Sequence, residues 1–336
     1  MFSILNRIKV THGGKPRSKA LPGIIQISEN HLLIAYRDAS THPVGEHKLV
    51  DDGVIKITRS FNGGLTWSES IIAWSEKNWD CAGSRTLINT PNGLVMFVFK
   101  AKRENLNHPI SNIQTIISSD HGYTWQLHGN SFNLHSNWTE MNTSGTLHIL
   151  NDGSWLVPVY GADKAEGPTY PSIAKSNDHG RSWTIIESIK TSDAVELHEC
   201  SIVKVNEDKF LGIIRSQTPP YLSYYSFSNN DCRNWSEAKP MNFYGQTPAL
   251  IKMKSGILLF AYRNMNEYQK GVGISFSKDF GNTWTKTKMI YESNSFNCGY
   301  PSLLELDKET VMCIYYTEYD LNNNCDIEGV ILKINI

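Results

Sequence analysis

The sequence predicts an all-β fold, a six-bladed β-propeller of four-stranded antiparallel blades, and three observations support this class. A short polar turn closed by a tryptophan recurs along the chain, an apolar run recurs in step with it, and strand-like segments lie at both ends. The 336 residues are predicted to form a single domain, 1–336, because closed all-β folds tolerate this length.

The recurrent turn has the pattern Ser-x-Asp-x-Gly-x-x-Trp. Three copies keep it and two depart from it: SSDHGYTW at 118–125, SNDHGRSW at 176–183, SKDFGNTW at 277–284, SFNGGLTW at 60–67 and SNNDCRNW at 228–235. The copies are spaced by about one four-stranded blade. A turn in which Asp or Ser bonds back to the backbone, Gly relieves strain and Trp packs underneath stabilises a hairpin. Because an active site is needed once, the repetition indicates a structural role.

The apolar runs follow turn-forming residues and are rich in β-branched and aromatic side chains, which is typical of buried strands. They are ENHLLIAYR (29–37), PNGLVMFVF (91–99), NDGSWLVPVY (151–160), NEDKFLGII (206–214), KSGILLFAY (254–262) and DKETVMCIYY (307–316). These runs predict six blades. The C-terminal GVILKINI is predicted to pair with the N-terminal SILNRIKV, which would close the ring and remove exposed sheet edges.

Composition argues against several classes of partner. Lys and Arg total 32 and Asp and Glu total 33, so bulk charge does not favour nucleic acid or a membrane surface. No apolar run approaches the roughly 20 residues of a membrane helix, and the N-terminal segment lacks the apolar core of a secretory signal. No membrane insertion is therefore expected, and the location stays open among a cytoplasmic, a phage-borne and an unconventionally exported protein. The six cysteines show no metal-site spacing and are predicted to be buried free thiols; no metal and no cofactor are expected.

The chemistry is expected where the repeats differ, near the axis at the ends of the innermost strands. Before these strands stand Pro16-Arg17, Asp80-Cys81, Glu140-Met141, His198-Glu199, Gly245-Gln246 and Gly299-Tyr300, and after the apolar runs stand Arg37, Arg103, Tyr160, Arg215, Arg263 and Glu318. Asp80, Glu140, Arg103 and Tyr160 are expected to line the site. Clustered arginines bind carboxylates through paired planar hydrogen bonds, so the expected ligand is an acidic sugar or a similar acid.

The turns, the segment LHECSIV with Arg215 downstream, and NCGYPSLLEL together resemble the sialidase superfamily of six-bladed propellers. The resemblance implies an exo-glycosidase that releases a sialic-acid-like sugar from an acidic glycan. By similarity of motif, the nucleophile is Tyr300 and its partner is Glu199. The arginines that the resemblance nominates for substrate binding are Arg17, Arg37, Arg215 and Arg263.

A tyrosine nucleophile suits such a substrate. The reacting ring carbon bears a carboxylate, so an Asp or Glu nucleophile would meet a like charge, whereas a neutral phenol does not. Because an unperturbed phenol has a pKa near 10, it needs a neighbouring base, and Glu199 is the candidate.

Two positions depart from the family pattern. The family has an acid/base aspartate shortly after the second arginine, whereas this chain has His42, with Asp38 nearby, and either residue is a candidate proton donor. Where a third arginine is usual, this chain has Lys270, which cannot make the paired planar contact, so either Arg263 takes that role or the acid group is bound differently.

Two alternative functions stay open. His, Tyr and Arg side chains around a uronic acid also suit a polysaccharide lyase or a hydrolase acting on uronic acids. A propeller without the acid/base aspartate also suits a non-catalytic glycan-binding protein. The products distinguish these functions, because a lyase leaves an unsaturated sugar, a hydrolase releases free acid and a lectin releases neither.

Overall fold

The structure, a computed structural model, describes residues 2–12, 17–41, 50–105, 108–129, 141–161, 169–319 and 324–335. Within these ranges the regular structure is β-strand apart from a short 3-10 turn at Ser84–Thr86. The strands in chain order are β1 (Phe2–Lys9), β2 (Ser18–Ser28), β3 (His31–Ala39), β4 (Val54–Ser60), β5 (Ile71–Trp74), β6 (Asp80–Ala82), β7 (Ile88–Thr90), β8 (Gly93–Asn105), β9 (His108–Ser118), β10 (Gln126–Leu127), β11 (Met141–Thr143), β12 (His148–Ile149), β13 (Trp155–Gly161), β14 (Tyr170–Ser176), β15 (Thr184–Ser188), β16 (Leu197–Lys204), β17 (Phe210–Ser216), β18 (Tyr224–Asn229), β19 (Asn234–Trp235), β20 (Lys239–Pro240), β21 (Gly245–Lys252), β22 (Leu258–Asn264), β23 (Gly271–Ser277), β24 (Lys288–Glu292), β25 (Cys298–Glu305), β26 (Thr310–Glu318) and β27 (Cys325–Ile334).

The strands form sheets in a propeller arrangement. Four separate sheets of four or five strands comprise β6–β10, β11–β15, β16–β20 and β21–β24. An 8-stranded sheet contains the run β2–β5 and the run β25–β27 with β1, and these two runs meet where Ser18 pairs in parallel with Cys325. The all-β propeller class is confirmed. The count of six blades is not established by these sheets and stays a prediction.

The strand predictions hold for the apolar runs and the chain ends. Each predicted run overlaps one strand of its group, namely β3, β8, β13, β17, β22 or β26. Strands β1 and β27 pair antiparallel from Phe2 with Ile334 to Lys9 with Glu328, so the two ends of the chain meet as predicted. The six cysteines are buried and unbonded to one another, as expected.

The recurrent turns have the predicted structural role. In the copy at 176–183, Asp178 accepts a hydrogen bond from the backbone N–H of Ser182 at 2.8 Å, and Trp183 donates its indole N–H to Gly180 O at 3.1 Å. Gly180 has φ +88, a left-handed backbone that favours glycine. Its φ is matched in the copy at 228–235 by Cys232, at +67, despite its side chain.

The first strands of the groups contain the irregularity that shapes the site. Strand β21 lies against β16 and β25, and β25 also lies against β2. Each of these strands has a β-bulge, in which two residues oppose one residue of the partner strand and a side chain is re-aimed. The bulged pairs are Leu21-Pro22, His198-Glu199, Thr247-Pro248 and Tyr300-Pro301.

The turn Ser84–Thr86 interrupts the equivalent place between β6 and β7. Across the described ranges, no helix has the length and apolar composition needed to cross a bilayer.

Candidate active site

Three side chains from different strands meet at the bulges. Tyr300 donates its phenolic O–H to Glu199 Oε1 at 2.7 Å. Arg215 donates through Nη1 to Glu199 Oε1 at 2.8 Å and Oε2 at 3.0 Å, and Nη1 lies 3.3 Å from the Tyr300 hydroxyl. The structure therefore brings together the nucleophile, base and arginine that the sequence nominated.

Local backbone geometry explains this convergence. The bulge in β16 places Glu199 opposite Arg215 of β17. Tyr300 has φ +46, a left-handed conformation that costs a residue with a side chain about 1–2 kcal/mol. Its N–H donates to Thr247 Oγ1 at 3.3 Å, and Thr247 is itself left-handed at φ +54. Strain of this kind persists where the surrounding structure enforces it, which points to a functional position.

The charges of the cluster tune one another. Burial favours the neutral carboxyl of Glu199, but the Arg215 guanidinium, the nearby His198 and the hydrogen bond from Tyr300 outweigh burial and lower its pKa to about 2. Burial and the Glu199 charge raise the pKa of Tyr300. The resting pair is therefore a neutral phenol donating to an ionised carboxylate.

Arg263, one of the candidates for the third arginine, lies beside Tyr300. Its guanidinium carbon lies 5.4 Å from the centroid of the Tyr300 ring, Nη2 donates to the Tyr316 hydroxyl at 2.9 Å, and Nε donates to Cys298 O. Gly299 at φ +118 makes this approach possible, because a Cβ there would lie 3.0 Å from Arg263. Lys270 instead places its ammonium 4.7 Å from the Phe296 ring centroid.

Arg85 was missed by the sequence analysis. It lies in the turn Ser84–Thr86, with its guanidinium carbon 5.2 Å from the Tyr300 ring centroid. Burial lowers the pKa of Arg85, and the Tyr300 and Glu199 groups partly offset that effect. The pair that aligns with the other repeats is Asp80-Cys81, and Arg85 lies beyond it in the chain. Leu21-Pro22, Thr247-Pro248 and Tyr300-Pro301 recur at three bulges, and the turn that contains Arg85 has no such pair to mark it.

A second polar group borders Glu199. The His198 ring stacks on Tyr160 with centroids 5.3 Å apart, and His198 Nε2 lies 3.2 Å from Glu196 Oε1. Thr169 Oγ1 donates to the same Glu196 oxygen at 2.9 Å. Burial would raise the pKa of Glu196, but these two partners lower it. Tyr160, predicted from the repeats to line the site, thus lies beside the residue preceding Glu199.

Arg17 and Asp38 bind each other. Arg17 donates through Nε to Asp38 Oδ1 and through Nη1 to Asp52 Oδ2 at 3.0 Å, while Lys56 Nζ lies 2.9 Å from Asp38 Oδ2. Each oxygen of Asp38 thus faces a cation, and the carboxylate anchors Arg17 and Lys56. Among the described residues, no hydrogen bond or ion pair joins Arg17 to Tyr300 or Glu199.

Arg37 and Asp80 also form a pair. Arg37 donates through Nε and Nη2 to the two oxygens of Asp80, at 2.8 Å each, and the residues are only 3% and 5% exposed. The pair links strand β3 with strand β6. The structure therefore places these two nominated residues against each other and not against Tyr300.

Three nominated positions lie outside what the structure describes. His42 and Glu140 fall outside the described residues, and the side chain of Arg103 is likewise outside them. In the described part of the chain, no group of three or more His, Cys, Asp or Glu side chains is arranged to hold a metal ion.

Fold and site define a β-propeller with a tyrosine, a carboxylate and arginines at the bulges of its first strands. Residues 31–313 match the BNR repeat-like domain, and the chain belongs to that family. A sialidase of Bacteroides fragilis (strain YCH46) is 23% identical over 350 residues, covering 92% of this chain and 62% of the relative. The chain therefore spans less than two thirds of that relative's length.

Solved structures show the same fold at low identity. A Dyadobacter fermentans protein of unknown function superposes with a TM-score of 0.84 at 18% identity, covering 99% of both chains. An α-L-arabinofuranosidase of Fusarium graminearum, solved with arabinobiose, has a TM-score of 0.73 at 14% identity, covering 98% of both chains. These likenesses to solved structures show the propeller fold, and the matched domain shows the BNR repeat-like family.

Proposed function

We propose that this protein is an exo-glycosidase that releases a terminal acidic, sialic-acid-like sugar through attack by Tyr300. The observation that carries the proposal is the 2.7 Å hydrogen bond from Tyr300 to Glu199, held by Arg215. A phenol already bonded to an ionised carboxylate can transfer its proton as the oxygen attacks the anomeric carbon.

The charge of the site supports an acidic substrate. Three guanidinium groups, those of Arg85, Arg215 and Arg263, lie around the Tyr300 ring or hydroxyl, against the carboxylate of Glu199. Arg215 Nε is buried and has no hydrogen-bond partner among the described residues. A buried charged donor left unpaired is costly, and a substrate carboxylate would satisfy it.

Substrate binding would also improve the base. Among the groups that lower the pKa of Glu199 against the effect of burial, the Arg215 guanidinium has the largest effect. A substrate carboxylate on Arg215 would offset that positive charge and raise the pKa of Glu199. Glu199 would then accept the phenolic proton more readily when substrate is present.

The proton for the leaving oxygen is assigned in this proposal to His42. Asp38 is the weaker candidate, because Arg17 and Lys56 already engage its two oxygens. The assignment of His42 rests on its place in the sequence. A histidine side chain can donate a proton near neutral pH.

The test is hydrolysis of a fluorogenic N-acetylneuraminic acid glycoside by the wild type and by Tyr300→Phe. We expect turnover by the wild type and a loss of about 10³-fold or more in Tyr300→Phe. Tyr315→Phe is the matched control, because Tyr315 is a buried tyrosine of β26 that packs 5.4 Å from the Tyr291 ring. It should retain wild-type turnover.

Other outcomes point to other functions. Ultraviolet absorbance of an unsaturated product from uronic-acid polysaccharides would indicate a lyase, and binding of glycans without any turnover would indicate a lectin. Turnover of an α-L-arabinofuranoside in place of the sialoside would keep the hydrolase class and reject the acidic substrate. Equal turnover by the wild type and Tyr300→Phe would reject the tyrosine nucleophile.

A further inference from the structure

Arg85 connects strands that are remote from it in the sequence. Its Nη2 donates to Pro248 O at 2.7 Å and lies 3.5 Å from Pro301 O. Pro248 belongs to β21 and Pro301 to β25, so one guanidinium reaches both first strands from the turn between β6 and β7. Three groups of strands are thus joined at the bulges.

The two carbonyls belong to the residues that follow the two strained positions. Pro248 follows Thr247, at φ +54, and Pro301 follows Tyr300, at φ +46. The Tyr300 N–H donates to Thr247 Oγ1 at 3.3 Å, so the two bulges already touch. A donor that binds the next carbonyl of each bulge restrains both left-handed residues and hence the direction of the Tyr300 side chain.

Arg85 also places charge against the reacting ring. Its guanidinium carbon lies 5.2 Å from the Tyr300 ring centroid, and Arg263 lies 5.4 Å from the same centroid. A cation beside an aromatic ring is attracted to its π-electrons, and it stabilises a phenolate more than a phenol. The Glu199 carboxylate acts in the opposite direction on Tyr300. Removal of a cation would leave that opposing effect less balanced.

We propose that Arg85 is a positioning residue that holds Tyr300 in its reactive orientation and makes its phenol more acidic. Its guanidinium fixes the Pro248 carbonyl and approaches that of Pro301, and its charge favours the phenolate. The reactive role of Tyr300 rests on the function proposed above, whereas the effect of Arg85 on the acidity of Tyr300 does not. The two ideas can therefore fail separately.

The primary measurement is a titration that needs no turnover. A fluorinated tyrosine is placed at position 300, which makes the phenol acidic enough to titrate while the protein stays folded, and its fluorine NMR signal is followed with pH. Arg85→Gln removes the charge and the forked donors, and Arg85→Lys keeps the charge alone. We expect the pKa at position 300 to rise by about one unit in Arg85→Gln and by less in Arg85→Lys.

The kinetic measurement separates positioning from substrate binding. Misplacement of a reacting group lowers kcat, so we expect kcat in Arg85→Gln to fall by roughly 10- to 100-fold, with a smaller change in KM and partial rescue in Arg85→Lys. If the wild type turns over no glycoside, the proposed function fails while the titration still decides the role of Arg85.

Arg59 provides a matched control. It donates through Nη1 to His121 O at 2.8 Å, and its guanidinium carbon lies 4.0 Å from the Tyr123 ring centroid. Arg59 thus binds a backbone carbonyl of another segment and lies over a tyrosine ring, as Arg85 does. Its contacts are with the recurrent turn at 118–125 and not with Tyr300. Arg59→Gln should leave the titration at position 300 and kcat unchanged.

Three results would overturn the proposal. The first is an unchanged titration at position 300 in a folded Arg85→Gln. The second is a rise in KM alone, which would make Arg85 a substrate-binding residue. The third is an equal effect of Arg59→Gln, which would show that the shift reflects general loosening. If Arg85→Gln does not fold, a position-300 titration in folded Arg85→Lys identical to wild type, with kcat also unchanged, would reject the positioning role of the Arg85 guanidinium.

Discussion

Tyr300 and Glu199 are separated by 101 positions in the chain, and a 2.7 Å hydrogen bond joins their side chains. The contact depends on two β-bulges, one that places Glu199 opposite Arg215 and one that gives Tyr300 a left-handed backbone. Regular strands would point alternate side chains to opposite faces. The site is thus built from departures from regular strand geometry, and that dependence leads to the predictions below.

Replacing Glu199 should make stability depend less on pH. Its pKa is lowered from 4.5 to about 2 in the folded protein, so the ionised carboxylate contributes stability that is fully present above pH 4.5 and is lost as the pH falls towards about 2. Glu199→Gln should lower the free energy of unfolding by about 3 kcal/mol at neutral pH, because Arg215 is left unpaired, and by less at acid pH.

Urea unfolding at several pH values measures this difference. Glu309→Gln is the control, because Glu309 makes an exposed pair with Lys333 at 3.4 Å and is 55% exposed at its side chain. It should change stability by less than about 1 kcal/mol. A Glu199→Gln effect that stayed constant down to pH 2 would contradict the low pKa.

Breaking the pair between Arg37 and Asp80 should affect stability more than catalysis. Both residues are buried, and Asp80→Asn leaves Arg37 without a charged partner, so we expect a loss of about 3–5 kcal/mol in unfolding free energy. Asp231→Asn, which alters a more exposed contact at 4.0 Å with Lys204, should cost little. A normal stability with a raised KM would instead mean that the pair binds substrate.

The recurrent turn at 176–183 should lose stability when its glycine gains a side chain. Gly180→Ala combines a left-handed backbone at φ +88 with a Cβ that would lie 2.7 Å from the Trp155 ring. Gly153→Ala has a similar φ of +80 and meets nothing within 4 Å, so it isolates the backbone cost. Thermal unfolding should show a larger loss for Gly180→Ala, by about 1–3 kcal/mol beyond the control. Equal losses would mean that Trp155 gives way freely.

Substitution of His42 should distinguish it from Asp38 as proton donor. His42→Asn should lower kcat by about 10²- to 10⁴-fold on a natural glycan, and by less on a fluorogenic substrate whose leaving group needs little protonation. Asp38→Asn should instead lower stability, because Arg17 and Lys56 lose their shared anion. If Asp38→Asn shows the leaving-group dependence and His42→Asn does not, the assignment is reversed.

Replacing Arg263 should weaken binding of an acidic substrate. Arg263→Lys keeps the charge and loses the planar fork, so KM for a sialoside should rise by roughly 10-fold. Lys270→Met is the control, because the Lys270 ammonium lies against the Phe296 ring. This substitution should leave KM unchanged. A rise in KM for Lys270→Met with an unchanged KM for Arg263→Lys would assign the role of the third arginine to Lys270.

Local patterns account for the parts of the fold that the sequence predicted correctly and for the nomination of three residues that the structure brings together. The recurrent turn and the apolar runs predicted the propeller class, because an eight-residue turn with its own hydrogen bonds and a continuously buried strand each depend on residues adjacent in the sequence. Short motifs around Glu199, Arg215 and Tyr300 nominated these three residues, and the structure brings their side chains together.

The tertiary structure alone decided which arginines lie beside Tyr300. Arg17 and Arg37 were nominated with good reason, but Asp38, Asp52 and Asp80 occupy their guanidinium groups. Arg85 lies in a turn that matches no repeat and still approaches the Tyr300 ring. A charge pairs with whichever opposite charge the fold brings within a few ångströms, and that choice depends on contacts between residues far apart in the chain. Residue types and strand periods are thus properties of the sequence, whereas the partners of its charges are properties of the folded propeller.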